Sequence, residues 1–391
     1  MCPTNEIMDG MSRRHDLDFV RVAAFMLLII YHVSLMYNSR NFILKAPDSS
    51  SVFDLIHLWT HPWRMSLLFL ISGAVTGILL TRHPPGALRS ARTRQLLTPL
   101  LVGLLFLIPP QIYVWLNTAG GVDISLLDVF CHYVTLTPVR LPDGELTLLL
   151  GGMQHLWYLA YLWIYTAILT FTASVWPELL PSMSRRLAAL LRGKWILIVP
   201  TLLFVLIRLV LRPAFPPTLN ILDDWYSHAV YFASFLFGVV MATRDEYWDA
   251  VVSMRKPALI LALACAMVLA LLFPALPAGE PEMWRALLGR AFGGTFQWCT
   301  IVALLGYAKI SWHSENAVVS YLNRAVLTYY VLHQTVMLLI AYGLHQMGLM
   351  SASSFVPIAA ATLAVCALSY ELKRRLEVVW RKRSIIKLCR V

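Results

Sequence analysis

The sequence predicts an all-α, polytopic integral membrane protein with about ten transmembrane helices and both termini on the cytoplasmic side. Three observations carry that prediction. Hydrophobic residues make up 59% of the 391-residue chain and charged residues 14%, against roughly 25% charged in a soluble domain. Apolar runs of about 17–25 residues, the length that crosses a ~30 Å hydrocarbon core as a helix, recur from end to end. The Lys and Arg residues crowd into alternate loops, which sets the orientation.

The ten runs are 17–37, 54–80, 95–116, 147–174, 195–212, 228–243, 257–277, 287–308, 317–346 and 354–376, the sixth being short. With the N-terminus inside, the inner segments hold Arg13 and Arg14, Arg82 to Arg94, Arg185 to Lys194, Arg244 to Lys256, Lys309 and the tail Lys373 to Arg390, most of the 32 basic residues. The outer loops hold Arg40, Lys45, Arg140, Arg212, Arg285 and Arg290, and four arginines (Arg21, Arg64, Arg208, Arg324) fall inside spans. The net charge of +11 is therefore topogenic and does not point to a nucleic acid. The basic pair before the first run resembles a signal peptide, but the run is long and more spans follow, so it is expected to stay uncleaved.

Linkers are short. Proline-rich breaks at "RPAFPP" (212–217) and "FPALPAGEPE" (273–282) mark two outer turns, and the longest loop, 117–146, is expected outside, with Asp123, Asp128, Asp143, Glu145 and Tyr133 on it. The tail from 377 mixes basic and apolar residues, as expected of a segment lying along an anionic leaflet. The six cysteines show no paired spacing, so neither a disulfide framework nor a zinc site is expected.

The polar residues inside the spans are the candidates for chemistry. Arg21 and His32 lie about three helical turns apart, on one face of the first span and ~16 Å apart in depth. A charged arginine within a span costs roughly 2.5–3.5 kcal/mol, so such residues face the bundle interior and mark sites. Asp18, three residues before Arg21, has the spacing to pair with it. His57, His61 and Arg64 fall at i, i+4 and i+7 on the second span, a single stripe. His155 opens the fourth span, and His333 stands ~24 Å up the ninth, level with His32 at ~22 Å up the first. Imidazole titrates near neutrality and serves as a general base when held in place. The HxxxH spacing of His57 and His61 is a weak metal signal, and an interfacial role for His57 beside Trp59 and Trp63 is the reading preferred, with no metal expected.

These residues sit in a recognisable order of motifs. "LDFVRVAAFMLLIIYH" (Leu17 to His32), "WRMSLLFLISG" (Trp63 to Gly73), "HLWYLAYL" (His155 to Leu162), "LTYYVLHQ" (Leu327 to Gln334) and "LSYEL" (Leu368 to Leu372) resemble, in order, five segments of the acyltransferase family 3 membrane enzymes. The early segments look closest to the branch that succinylates periplasmic glucans. The chain departs from the family at two places. The usual Arg-x-x-Arg before the third span is here Arg92 followed by Gln95, with Arg89 and Arg94 nearby, and "HQT" stands where a proline-ending form is commoner. On this resemblance 1–376 is the membrane acyltransferase domain and 377–391 a basic cytoplasmic tail.

The resemblance implies an O-acyltransferase of the bacterial inner membrane. It would move an acetyl or succinyl group from cytoplasmic acyl-CoA, a substrate and not a resident cofactor, to a carbohydrate hydroxyl of a periplasmic or envelope glycan. His32 would be the base, with Arg64 or His333 stabilising charge or orienting the acceptor. Arg21, Asp18, Arg89, Arg92 and Arg94 would line the donor's path, and His61, His155 and Glu371 would support the acceptor side. A succinyl donor brings a second carboxylate, which an added arginine such as Arg208 or Arg324 would meet. The competing reading is a transporter or flippase for an anionic or sugar-like solute, for which the same charges would be substrate contacts.

Overall fold

The computed structural model describes residues 14–48, 50–142, 144–147, 152–218, 220–273 and 282–388. Thirteen α-helices account for most of them: α1 His15–Ser34, α2 Ser51–Leu80, α3 Pro85–Phe106, α4 Ile108–Leu116, α5 Leu126–Thr135, α6 Trp157–Val175, α7 Leu179–Leu190, α8 Trp195–Ala214, α9 Trp225–Met241, α10 Asp245–Leu272, α11 Met283–Ser311, α12 Ala317–Gln346 and α13 Phe355–Leu388. Eight segments are long and apolar enough to cross a membrane, with α3 and α4 together forming one of them, Pro85–Leu116. The two remaining runs of the sequence are also helices, the 17-residue α9 and the 29-residue α11. The protein is an all-α polytopic membrane protein.

The chain forms two compact units. The first comprises Met1–Leu27, Leu58–Leu97 and Tyr158–Asn323. In it, α10 pairs along α11, and α11 along α8. Small residues set these approaches, as in membrane helix packing generally. A Cβ on Gly238 of α9 would fall 1.9 Å from the Leu70 carbonyl oxygen of α2, and one on Gly73 of α2 would fall 2.0 Å from that of Phe235. The glycine of the "ISG" segment is thus a point of backbone contact. Its neighbour Ser72 bonds the Tyr158 hydroxyl of α6 at 2.8 Å.

The second unit comprises Leu28–His57, Thr98–Trp157 and Arg324–Val391. Its core joins Val33, Met36, Tyr37 and Leu44 to Val114 and to Met337, Leu338 and Ala341 of α12. Pro109 and Pro110 lack amide protons, so the third span breaks at Leu107 and restarts as α4. The outer loop expected at 117–146 is more ordered than a plain solvated loop. Ser125 caps α5 by accepting from the Asp128 amide at 3.2 Å, and Val139–Leu141 pairs antiparallel with Gly144–Leu146 as strands β1 and β2. Asp143 lies outside the described residues. The helix α13 runs unbroken through the boundary expected at 376, with an Arg374–Glu371 ion pair at 2.7 Å.

Candidate active site

The second unit gathers three of the sequence-predicted histidines. His333, at 0% exposure, places Nδ1 2.7 Å from the Tyr330 carbonyl oxygen and 3.2 Å from that of Tyr329, both one turn back on α12. A carbonyl only accepts, so Nδ1 carries the proton and Nε2 of the neutral ring is an acceptor. That Nε2 stands 3.2 Å from His32 Nδ1, which is also 3.0 Å from the Leu28 carbonyl oxygen. His32 Nδ1 is therefore the donor in the pair, and its Nε2 is the basic nitrogen. The level depths read from helical rise put the two rings together, at 5.0 Å between centroids.

His155 completes the group, its ring edge-on to His333 with centroids 5.2 Å apart. It sits in the 3-10 turn Gln154–Leu156 that starts the α6 segment, where Tyr330 donates its hydroxyl to the His155 carbonyl. Its Nε2 donates to the Val331 carbonyl at 3.0 Å, which leaves Nδ1 an acceptor, 3.4 Å from Gln111 Nε2. Gln111 is a hub: its amide also donates to Thr335 Oγ1 at 2.8 Å and to Leu107 O at 3.1 Å, while its Oε1 accepts from Gln334 at 3.0 Å. Thr335 donates in turn to Leu107 O at 2.9 Å. The proline break of the third span thus feeds a buried network that fixes His155. Gln111, Gln334, Thr335 and Tyr330 are functional candidates that sequence reasoning does not reach. The available signal is a glutamine directly after Pro-Pro and the "HQT" departure itself.

At the same end of α1, Lys45 donates to the carbonyls of Leu35 and Asn38, the former at 2.9 Å, and to Asn38 Oδ1 at 3.3 Å. Burial pulls its ammonium below the ordinary lysine range, with Asp54 partly offsetting the shift. These bonds tie down the loop that leaves α1 just after His32. His57 is buried at 9% exposure and stacked on Tyr31 at 5.4 Å, so it packs inside the unit and is not the interfacial residue expected. Trp59 is half exposed. Glu371 pairs with Arg374 on α13.

The first unit holds most of the predicted cations. Arg21 of α1 and Arg92 of α3 lie within range of each other's charge, and both act on the Tyr158 hydroxyl. Arg92 Nη1 donates to Gln95 Oε1 at 3.0 Å, so the glutamine that replaces the family's second arginine holds the first. The buried Arg92 Nε has no protein acceptor. Arg89 is half-buried and Arg94 exposed on the same helix. Asp18 accepts from Asn323 Nδ2 at 2.6 Å. Arg64 is buried at 2% exposure with Nη1 3.4 Å from Thr60 Oγ1. His61 is exposed, because the i+4 position falls at the rim of the buried face that His57 and Arg64 share. Among the described residues no group of three or more His, Cys, Asp or Glu side chains is placed to hold a metal ion.

Against known proteins, a family model described as an acyltransferase domain matches residues 14–371. The chain belongs to acyltransferase family 3. Among curated proteins, this family member is 28% identical over 158 residues to glucans biosynthesis protein C of Escherichia coli strain K12, and 29% identical over 160 residues to the protein of the same name from Shigella dysenteriae serotype 1. Each match takes in 40% of this chain and 38% of the relative, so the chain spans well under half the length of these relatives. No solved structure matches.

Proposed function

We propose that this acyltransferase family 3 protein is a bacterial inner-membrane O-acyltransferase. It transfers an acetyl or succinyl group from cytoplasmic acyl-CoA to a hydroxyl of an envelope glycan. The observation that carries the reading is the His32–His333 pair, in which two backbone-anchored protonation states leave Nε2 of the half-buried His32 as the basic nitrogen. Family membership supports the reaction class, and the name of the glucans biosynthesis protein C relatives favours a glucan as the acceptor.

The step follows from that tautomer. The acceptor hydroxyl gives its proton to His32 Nε2 as its oxygen attacks the thioester carbonyl; the carbon–sulfur bond then breaks, and the proton passes to the departing thiolate. His333 Nε2, accepting from His32 Nδ1, orients the ring and spreads the charge of the imidazolium. Arg21 and Arg92, two cations within range of each other's charge, attract the donor's phosphates.

The test is transfer from radiolabelled acetyl-CoA or succinyl-CoA to extracted envelope glycans by the purified protein. His32→Ala is expected to remove about 10²- to 10⁴-fold of the rate while the protein stays monodisperse. Full transfer by that variant would refute the base assignment, and absence of transfer by the intact protein with either donor would refute the reaction.

A further inference from the structure

The first unit buries a second arginine that the reaction above does not use. Arg208, two-thirds along α8, is 7% exposed, yet its hydrogen bonds go only to neutral groups. Nε and Nη2 straddle Gln297 Oε1 of α11 at 3.2 and 2.6 Å, and Nη2 also reaches the Pro62 carbonyl of α2 at 3.3 Å. Gln297 is held in place by its own amide, which donates to Ser66 Oγ at 3.0 Å. Among the described residues no Asp or Glu pairs with Arg208, so a guanidinium sits within the apolar span with Nε and Nη2 bonded to neutral oxygens and Nη1 without a hydrogen-bond acceptor.

That is an unusual use of arginine. A structural polar contact between spans is made more cheaply by a neutral side chain, and a structural cation is normally buried opposite an anion. The packing around it is also specific. At Gly294 a Cβ would fall 3.0 Å from the Val205 Cα, so α8 and α11 approach closely enough to seat the bidentate contact. At Gly293 a Cβ would fall 3.5 Å from Arg208 Nη1, an ordinary van der Waals distance, so the α11 backbone lies alongside the edge of the guanidinium that Gln297 does not use. The Tyr231 hydroxyl lies within range of the Arg208, Arg64 and Asp224 charges. A planar fork held by one edge, with its other edge presented beside a glycine, suits an oxyanion.

We propose that Arg208, held by Gln297 and faced by Gly293, is an intramembrane oxyanion site that binds an acid group of the acyl donor. This rests on the acyltransferase reading. The acid group has two sources: a carboxylate at the far end of the acyl chain, or a phosphate of the donor. Arg324, the other arginine considered for that role, is exposed and has no such setting.

Two variants of the full-length protein test the site. Arg208→Gln removes the charge; Gln297→Glu supplies an internal carboxylate that pairs with Arg208 and closes the site to ligand while favouring the fold. Kinetics with succinyl-CoA and acetyl-CoA, and thermal shifts with succinate and with inorganic phosphate, are read for each. The expected result is a loss of about ten- to a hundredfold in at least one of these responses in both variants. A loss confined to succinyl-CoA and succinate identifies the acyl carboxylate. An equal loss with both donors, joined by loss of the phosphate shift, identifies the donor phosphate. Wild-type responses in Gln297→Glu overturn the proposal even if Arg208→Gln does not fold. If the intact protein transfers no acyl group yet shows a thermal shift that both variants lose, the reaction is wrong and the oxyanion site stands.

Discussion

His32 and His333 illustrate how much a single proton's position decides. Because His333 Nδ1 is anchored to carbonyls, its Nε2 accepts, and His32 is thereby set with its basic nitrogen opposite the pair. Replacing His333 by Phe is expected to cost about 10²-fold in kcat with little change in donor KM, since the ring acts on His32 and not on the donor. The pH–rate profile is the discriminating readout: loss of the His333 acceptor moves the acid limb, whereas a merely structural defect scales the whole curve. Gln111→Leu removes the donor to Thr335 and the acceptor for Gln334 at once, leaving buried groups unpaired. The expected loss is about 1–3 kcal/mol in unfolding free energy, measured in detergent, together with a fall in kcat. At this scale the sequence is legible where one number suffices. Helical rise puts His32 level with His333, but nothing in an apolar span says which neutral amide reaches which hydroxyl across 224 residues of chain, as Gln111 does to Thr335.

The helices owe their contacts to a few small residues, and the glycines differ in what they permit. Gly238→Val would drive a side chain into the Leu70 backbone, and no rotamer relieves that clash, so a loss of roughly 3 kcal/mol or more is expected, seen as aggregation on extraction. Gly103→Ala meets only the flexible end of Leu156, at 2.7 Å, and is expected to be mild. Gly343 of α12 has nothing within 4 Å of an added methyl group, so Gly343→Ala should raise the melting temperature, by the ~1 kcal/mol that alanine gains over glycine in a helix. Helix positions are plain from apolar run length, since a bilayer imposes that length. The break at Leu107 is written in Pro109 and Pro110, but a span read as continuous hides it. The stripe on α2 follows from periodicity alone, which gives angles and not neighbours; it therefore groups exposed His61 with buried His57 and Arg64.

For the whole molecule, charge distribution predicts which side each loop faces. Cys131 lies exposed on α5, in the loop expected outside, while Cys265, Cys299 and Cys366 are buried. A chain keeping only Cys131 should react with a membrane-impermeant maleimide on intact spheroplasts, and a cysteine placed at Arg192 in that background should react only after lysis. The reverse pattern would invert the orientation, and with it the side from which the donor arrives. The separation into two units has no counterpart in the sequence, because their boundaries fall within helices and leave no linker to see. The His32–His333 contact also has a consequence in time. The two residues are 301 positions apart, so at the ~5–20 residues per second of synthesis, His32 enters the membrane roughly 15 to 60 s before its partner exists. A nascent chain stalled anywhere before α12 would be inserted, apolar and inert, and the chemistry is withheld until the last spans are made.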